Sequence, residues 1–568
     1  GATFVSSGFV QFSTCTWREN KVIAKLQSNV ISTDGKYGGG ALFCGGYCTF
    51  FNSQFVQNAI PGDVALSGGG ILGNLVNIQN STFSGNSAHS GGGVAVFSPL
   101  LRSTLMNQFS WTTFSNNDAI QGGAVYTGPT SQGSISSCFL FDNVGLQFGG
   151  AMFMSGSWTL HLAEFSYNVA SETGGDIYFS GLASVVTFQF FVSSCLFYGS
   201  KTTFAGGSLF LGGSSSVSVR NSQFVNTLSS LGGAVYGTDF SLFSGFEVLM
   251  SEPSAAASGG AIFLTGKGQL YLQDSEIMSA YGILSGGAIA ATEFSSVVFN
   301  TVTVRNCTST YGAGMYMFDT SSLDCTSCNF VSNTVLGNGG ALFLSGSSLS
   351  QFSLSYFYRN TAFLGGGAIF STSDSYAWWY NSSFIQNSAG LGGAFWLEAT
   401  SHVLFPASKN ATTLLFNTAS SGGAIYMLEF SQVALAQCIA AFNVAQSGSG
   451  GLISSSSNGT IIAHDIKATS NSAWNGGAIA LNMTAPSLDP DSNIPLQLTG
   501  SEFVNNLAND TDGVLSQPSF GAQSLFGGGA LFFQAPSSLL QTSSSSIHAV
   551  TSTASFLGNF ARYGPHFA

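Results

Sequence analysis

Two glycines, a small residue and two or three apolar residues recur along this chain at a nearly fixed distance, and this restricts the fold more than any other feature. The phrase stands as GGAL at Gly39, GGAV at Gly122, GGAM at Gly149, GGDI at Gly174 and GGAV at Gly232. It continues as GGAI at Gly259, Gly286, Gly366, Gly422 and Gly476, as GGAL at Gly339 and Gly528, and as GGAF at Gly392. From Ala234 its third position returns at 261, 288, 314, 341, 368 and 394, a step of 26 or 27 residues. Between Ala478 and Ala530 the step is 52. A second anchor precedes the first: an aromatic residue three positions before an Asn, as in Phe83 to Asn86, Phe114 to Asn117, Phe165 to Asn168, Phe330 to Asn333, Phe357 to Asn360 and Phe384 to Asn387. Two anchors at one period mark a repeat architecture, in which each unit buries its apolar face only by stacking on the next.

Helical repeats would need amphipathic runs of about 10 residues or more, and Gly, Ser, Thr or Asn interrupts every such run here. Short alternating stretches punctuated by Gly instead predict an all-β chain, a single-stranded right-handed parallel β-helix of three short strands per coil. The right hand is the default for parallel crossovers. Counting Gly-Gly pairs and partial coils gives about 19 to 20 coils of about 27 residues. Gly-Gly supplies positive φ or close backbone approach at a tight corner, the small residue enters the interior, and the Phe stacks on its neighbours in adjacent coils. The Asn at a turn can bond the Asn above and below it, as in stacked amide ladders. The chain reads as one continuous β-helix over 1–568, with a loop-like insertion at 479–527.

The GGA[ILV] and FxxN phrases, carried over nearly the whole chain, resemble the repeats of the chlamydial polymorphic outer-membrane proteins. That resemblance implies a surface-exposed β-helix of the autotransporter-passenger type with a part in adhesion. A related extracellular protein of an alga or protist would carry the same phrases.

Only 7% of the residues are charged, against about 25% in an ordinary soluble domain. The net charge is -12, and the 13 cations are scattered from Arg18 to Arg562. No basic patch is available to neutralise phosphates, so nucleic acid is not an expected partner. No run approaches the roughly 18 to 20 apolar residues of a spanning helix. No initiator methionine or charged leader opens the chain, so any targeting signal is expected to lie outside this sequence.

Of nine Cys, five share one slot two residues before the aromatic position: Cys15, Cys138, Cys195, Cys328 and Cys438. Strand alternation turns that slot inward with the Phe, which suits buried thiols acting as small apolar side chains. Cys44 with Cys48 and Cys325 with Cys328 are close enough in sequence for local disulfides, and an isolated CxxC is a weak zinc signal. Sequons stand at Asn80, Asn306, Asn381, Asn410, Asn458, Asn482 and Asn509. Asn80 and Asn381, three residues before the Phe, are placed outward, whereas Asn306 is expected on the Asn ladder and is a poor acceptor. Acids recur four to six residues after the small residue of the motif, at Asp239, Glu293, Asp319, Asp374, Glu398 and Glu429, with Lys267 interrupting them. Solvated turns favour Asp, but a cation or a basic partner bridging stacked acids would use the same stripe. Asp489, Asp491, Asp510 and Asp512 in the insertion are candidate calcium ligands without EF-hand spacing. No other cofactor is expected.

Three function classes compete. A polysaccharide-acting enzyme needs paired carboxylates, or a calcium site with a base. His89, His161, His402, His464, His548 and His566 fall in different coils and no such pair is evident, so catalysis is not expected. Adhesion or recognition, with the insertion as binding loop, follows from the resemblance. The sequence also enters and leaves in mid-pattern, which fits either unpaired strand edges that stack copies end to end or a segment of a longer polypeptide whose coils continue on both sides. The leading expectation is therefore an extracellular structural protein, a subunit of a filament or surface coat, whose partners are copies of itself and other surface or fibre proteins.

Overall fold

An alternating stretch such as Gln132–Ser136 can bury only every second side chain, and it finds its partners one coil away in either direction. In the computed structural model Gly133 and Ile135 of this strand point inward, Gln132 is exposed, and Ser134 and Ser136 are half-buried. The described residues are 3–5, 7–21, 40–60, 67–97, 106–129, 131–181, 189–456, 459–482, 496–508, 524–526, 529–535 and 549–561. They contain strands and no helix. The chain divides into two compact units, Gly1–Tyr281 and Gly282–Ala568, and each is a parallel solenoid.

One coil of the first unit sets the pattern. Val125–Thr127, Gln132–Ser136, Phe139–Phe141 and Val144–Phe148 follow each other around the coil. The next coil repeats them as Met152–Met154, Ser157–His161, Glu164–Ser166 and Val169–Ala170. The two are in parallel register, with Val125 opposite Met152, Ile135 opposite Leu160, Leu140 opposite Phe165 and Val144 opposite Val169. The second unit is built alike: Met315–Met317, Ser322–Thr326, Asn329–Val331 and Thr334–Val335 lie under Leu342–Leu344, Leu349–Ser353, Tyr356–Tyr358 and Thr361–Gly365.

Each coil thus has four short strands where three were expected. A tight turn splits the first face into two segments of one sheet, and the other two strands form the second and third sheets. The coil count is corrected as well. About 15 coils, from Val94 to Ala508, carry all four strands separately. Counting Gly-Gly pairs also counted coils nearer the ends, where the first two segments merge into Leu42–Phe51 and Ile71–Gln79.

The corners explain the punctuation. Gly122 has φ +64°, and a Cβ on Gly123 would stand 2.2 Å from the Gly150 carbonyl oxygen of the next coil. The first glycine therefore supplies a left-handed backbone and the second permits contact between coils. The other two corners use non-glycine residues at positive φ, Ser137 and Asp142 in the first unit and Ser327 and Ser332 in the second. Each is followed by a buried residue that turns into the core, here Cys138, Asn143, Cys328 and Asn333.

Inside, the aromatic residue of the repeat stacks on itself, with ring centroids 4.5 Å apart for Phe55 and Phe83, 4.7 Å for Phe197 and Phe224, and 4.8 Å for Phe357 and Phe384. Burying such a ring contributes about 1.5–3 kcal/mol, and the stacked pair about 0.5–1.5 more. The Asn forms the expected ladder, described in the Discussion. A second ladder went unread in the sequence: Ser53 Oγ donates to the Phe51 carbonyl (2.9 Å), and the Ser53 amide donates to Ser81 Oγ of the next coil (3.1 Å).

Within the stretch 479–527, expected to be loop-like, the described residues include strands that follow the repeat. Ile479–Asn482 pairs with Leu531–Ala535, and Leu496–Thr499, Glu502–Val504 and Leu507–Ala508 pair with the coils on either side. Glu502–Val504 carries the aromatic Phe503, three before Asn506, while 483–495 and 509–523 lie outside the described residues.

Candidate functional site

The turn between the first two strands of a coil is where the acids collect. Asp239, Glu293, Asp319, Asp374 and Glu429 all have positive φ, between 53° and 61°. A short polar side chain tolerates that backbone better than an apolar one, which accounts for Asp at this turn. In the first unit the Lys267 ammonium lies 5.1 Å from the centre of the ring of Phe240, the residue after Asp239. In the second unit Thr400 donates to Asp374. Burial, and then the charge of Glu429, push the Glu398 carboxyl up from its ordinary value. Glu398 and Glu429 are thus brought close enough to repel, while no group of three or more His, Cys, Asp or Glu able to hold a metal ion occurs among the described residues. The four candidate calcium ligands, Asp489, Asp491, Asp510 and Asp512, lie outside the described residues, as do Asn458, Asn509, His548 and His566.

The cysteines divide into two groups. Cys44 is bonded to Cys48, and Cys325 to Cys328, so Cys328 leaves the set of free inward thiols. Cys138, Cys195 and Cys438 are buried and Cys15 is half-buried. Burial pushes the thiols of Cys138 and Cys195 up to about 11 and that of Cys438 up to about 12. They carry no thiolate near neutral pH and so lack nucleophilic character.

Among the sequons, Asn80, Asn306, Asn410 and Asn482 are exposed and Asn381 is half-buried. Asn381 Oδ1 accepts bonds from Ser408 Oγ (2.5 Å) and the Asn410 amide (3.2 Å). Asn306 is not on the ladder, contrary to expectation. Val304 takes the aromatic position in its coil, so Cys307 occupies the ladder site and its amide donates to Asn333 Oδ1 (3.0 Å).

The described histidines remain apart. His161 meets Ser193 Oγ at 2.9 Å, His464 meets Asp465 at 3.0 Å, and His402 stacks on Tyr376 at 4.4 Å.

Two features escaped the sequence reading. Asp176, the third residue of GGDI, is a fully buried carboxyl pushed up to about 7 by desolvation, against the bonds from Ser200 and Asn168. Ser208 lies beside it, although Asp176 Oδ2 and Ser208 Oγ make no hydrogen bond. The signal was its departure from GGA. The other is an apolar row in the second unit at the corner before the Gly-Gly pair, on successive coils. Leu336 and Phe363 are 73% and 75% exposed, and Ile283, Leu284, Tyr311 and Leu364 stand exposed beside them. The Tyr311 amide donates to the Leu284 carbonyl (3.1 Å) and that of Leu336 to Ser309 (3.3 Å), fixing these coils side by side. In the first unit Leu146 and Phe204 stand exposed at the same corner, but Glu172 on the coil between them interrupts the row.

Residues 189–362 match the family model described as the right handed beta helix region. No curated protein and no solved structure matches the chain. The matched stretch agrees with the expected right-handed coil and with the parallel register in both units. No helix among the described residues is long and apolar enough to cross a membrane.

Proposed function

We propose that this chain is an extracellular structural protein that packs against copies of itself in a filament or surface coat. The observation that carries the reading is the exposed row of Ile283, Leu284, Tyr311, Leu336, Phe363 and Leu364 on one side of the second unit. Contiguous exposed apolar surface of this kind marks an interaction site in a soluble protein, and no charged residue interrupts the row to hold copies apart. A contact through this row would be lateral, side by side between copies. The disulfides Cys44–Cys48 and Cys325–Cys328 favour an oxidising compartment. The resemblance to chlamydial surface-passenger repeats points the same way. Among the described residues Asp176 is sealed from solvent and His161 and His464 are engaged separately with Ser193 and Asp465, which favours assembly over catalysis as the reading.

The test is sedimentation of the intact chain over a concentration series, with electron microscopy of the same samples, for wild type and the Leu336→Lys, Phe363→Lys double variant. Wild type is expected to assemble, and the variant to need at least about tenfold more protein, since each lysine must be desolvated in the contact. A monomeric wild type at every concentration overturns the reading. Unchanged assembly in the variant rejects the row as the contact.

A further inference from the structure

The outer face of the first sheet in the second unit carries a hollow that the self-association reading does not use. Strand Tyr376–Tyr380 has the sequence YAWWY, and alternation sends Ala377 and Trp379 into the core while Tyr376, Trp378 and Tyr380 face out. Three outward rings on one five-residue strand form a strip across the solenoid, spaced about 6.8 Å apart by the strand rise. Tyr376 and Trp378 are nearly parallel, with planes 19° apart and centroids 6.1 Å apart. The strands before it in register place Gln351, Asp324 and Val298 in the file of Trp378, and Leu349, Ser322 and Ser296 in the file of Tyr376. Trp378, Leu349, Gln351, Asp324, Ser322 and Ser296 line an open hollow of about 250 Å³.

We infer that this hollow binds a neutral oligosaccharide lying along the Trp378 file. A pyranose ring has an apolar C–H face and a rim of hydroxyls, and the site has the matching halves. The half-exposed Trp378 ring offers an apolar plane, as aromatic side chains with one wet side do at binding surfaces. One and two coils away, about 4.8 and 9.6 Å by the strand spacing, Gln351 offers both donor and acceptor and Asp324 offers acceptors to hydroxyls. Ser296 and Ser322 line the rim beside them.

Charge narrows the class. Asp324 is the only carboxylate on the three outward files between Ser296 and Tyr380, and no Lys or Arg stands on them. An anionic sugar, phosphate or nucleotide would meet a carboxylate and no cation. A quaternary ammonium fits poorly, because two parallel rings on one strand do not close a cage, and Asp324 is two coils from Trp378. The strands' backbone groups are engaged in the sheet, so an extended peptide has no edge to join here.

Calorimetric titration of the intact chain with cellohexaose, chitohexaose, mannohexaose and laminarihexaose, and with hexagalacturonate and tetramethylammonium as charged comparators, tests the inference. At least one neutral hexasaccharide is expected to bind with a Kd at or below about 1 mM, as a shallow surface site would. Trp378→Ala should weaken it by about tenfold or more, and Gln351→Ala by a smaller factor. Trp378 and Gln351 project from the outer face, so both variants should keep the wild-type strand circular dichroism; Gln351→Ala, a truncation at an exposed position, guards against a packing defect in the first. Failure of all four neutral probes overturns the inference. So does wild-type affinity in both variants, or tighter binding of hexagalacturonate or tetramethylammonium than of any neutral probe.

Discussion

The two units run the same amide ladder, but one completes it and the other has to stop it. In the second unit Asn333, Asn360, Asn387, Asn417, Asn443, Asn471, Asn506 and Asn559 pass a bond from each Nδ2 to the next Oδ1, at 2.9 to 3.1 Å. In the first unit the run from Asn20 through Asn58, Asn86, Asn117 and Asn143 reaches Asn168, where the next coil offers Ser200. A serine has no amide oxygen within reach, so Asn168 Nδ2 donates to Asp176 Oδ1 instead (2.9 Å), and Ser200 Oγ donates to the same oxygen (2.6 Å). Beyond it Thr227, Pro253 and Ala280 fill the site, and Pro253 lacks the N–H that the ladder would serve. The difference teaches that an amide ladder sealed from water ends at a cost, because its last donor needs an acceptor, and GGDI is where the chain supplies one.

The largest expected effect breaks the intact ladder. Asn387 donates from Nδ2 to Phe357 O (3.1 Å) and Asn417 Oδ1 (3.0 Å), and its own Oδ1 accepts from the Asn360 amide and Nδ2 (3.0 and 3.1 Å). Asn387→Ala strands the Asn360 amide and one of the two Asn360 Nδ2 hydrogens, the other staying on the Phe330 carbonyl, and opens a small cavity, at about 5 kcal/mol in all. Denaturant unfolding of the intact chain measures it. Because coils of a solenoid answer mainly to their neighbours, hydrogen exchange should quicken first at Asn360 and Asn387. A loss under about 1 kcal/mol would show that water replaces the amide freely and that the ladder is ornament.

The next effect separates the units by pH. Asp176 rises from an ordinary 3.8 to about 7 in the folded state, so folding raises its affinity for a proton. Between those two values the folded chain binds more proton than the unfolded one, and stability falls as pH rises. The loss is on the order of 4 kcal/mol from pH 3.8 to 7 and is complete above the folded value. Asp176→Asn keeps an acceptor for Asn168 and Ser200 and removes the titration. The first unit of the variant should then be less pH-dependent than wild type across that window and more stable above pH 7. Equal slopes in the two proteins would refute the assignment.

The repeat made the solenoid legible. FxxN placed the stacked Phe and the Asn ladder because both jobs are local to one corner and recur. The split first face was not legible, since its turn uses Asp, Glu, Ser or Lys interchangeably and leaves no fixed residue. Asp176 was missed for a different reason: its partners Asn168 and Ser200 lie 8 and 24 residues away, and only coil register brings them together. Adjacent Trp378 and Trp379 gave no sign of which faced out until the phase of the strand was fixed by Ala377. The apolar row depends on corners from four successive coils, so no single repeat displays it.

The smallest effect sharpens the comparison from inside the gap. Thr227 occupies the ladder position two coils beyond Asn168, is 1% exposed, and its Oγ1 has no hydrogen-bond partner. Where the ladder runs, removing a polar side chain strands its neighbours; here no neighbour depends on it. Thr227→Val keeps the branched shape and takes away a hydroxyl that is desolvated without return, so it should be neutral or stabilising by up to about 1 kcal/mol. The same unfolding assay reads it beside Asn387→Ala. A loss above about 1 kcal/mol would mean that the Thr227 hydroxyl is bonded in solution, through water or a shifted Ser200, and that the ladder continues through the gap in another form.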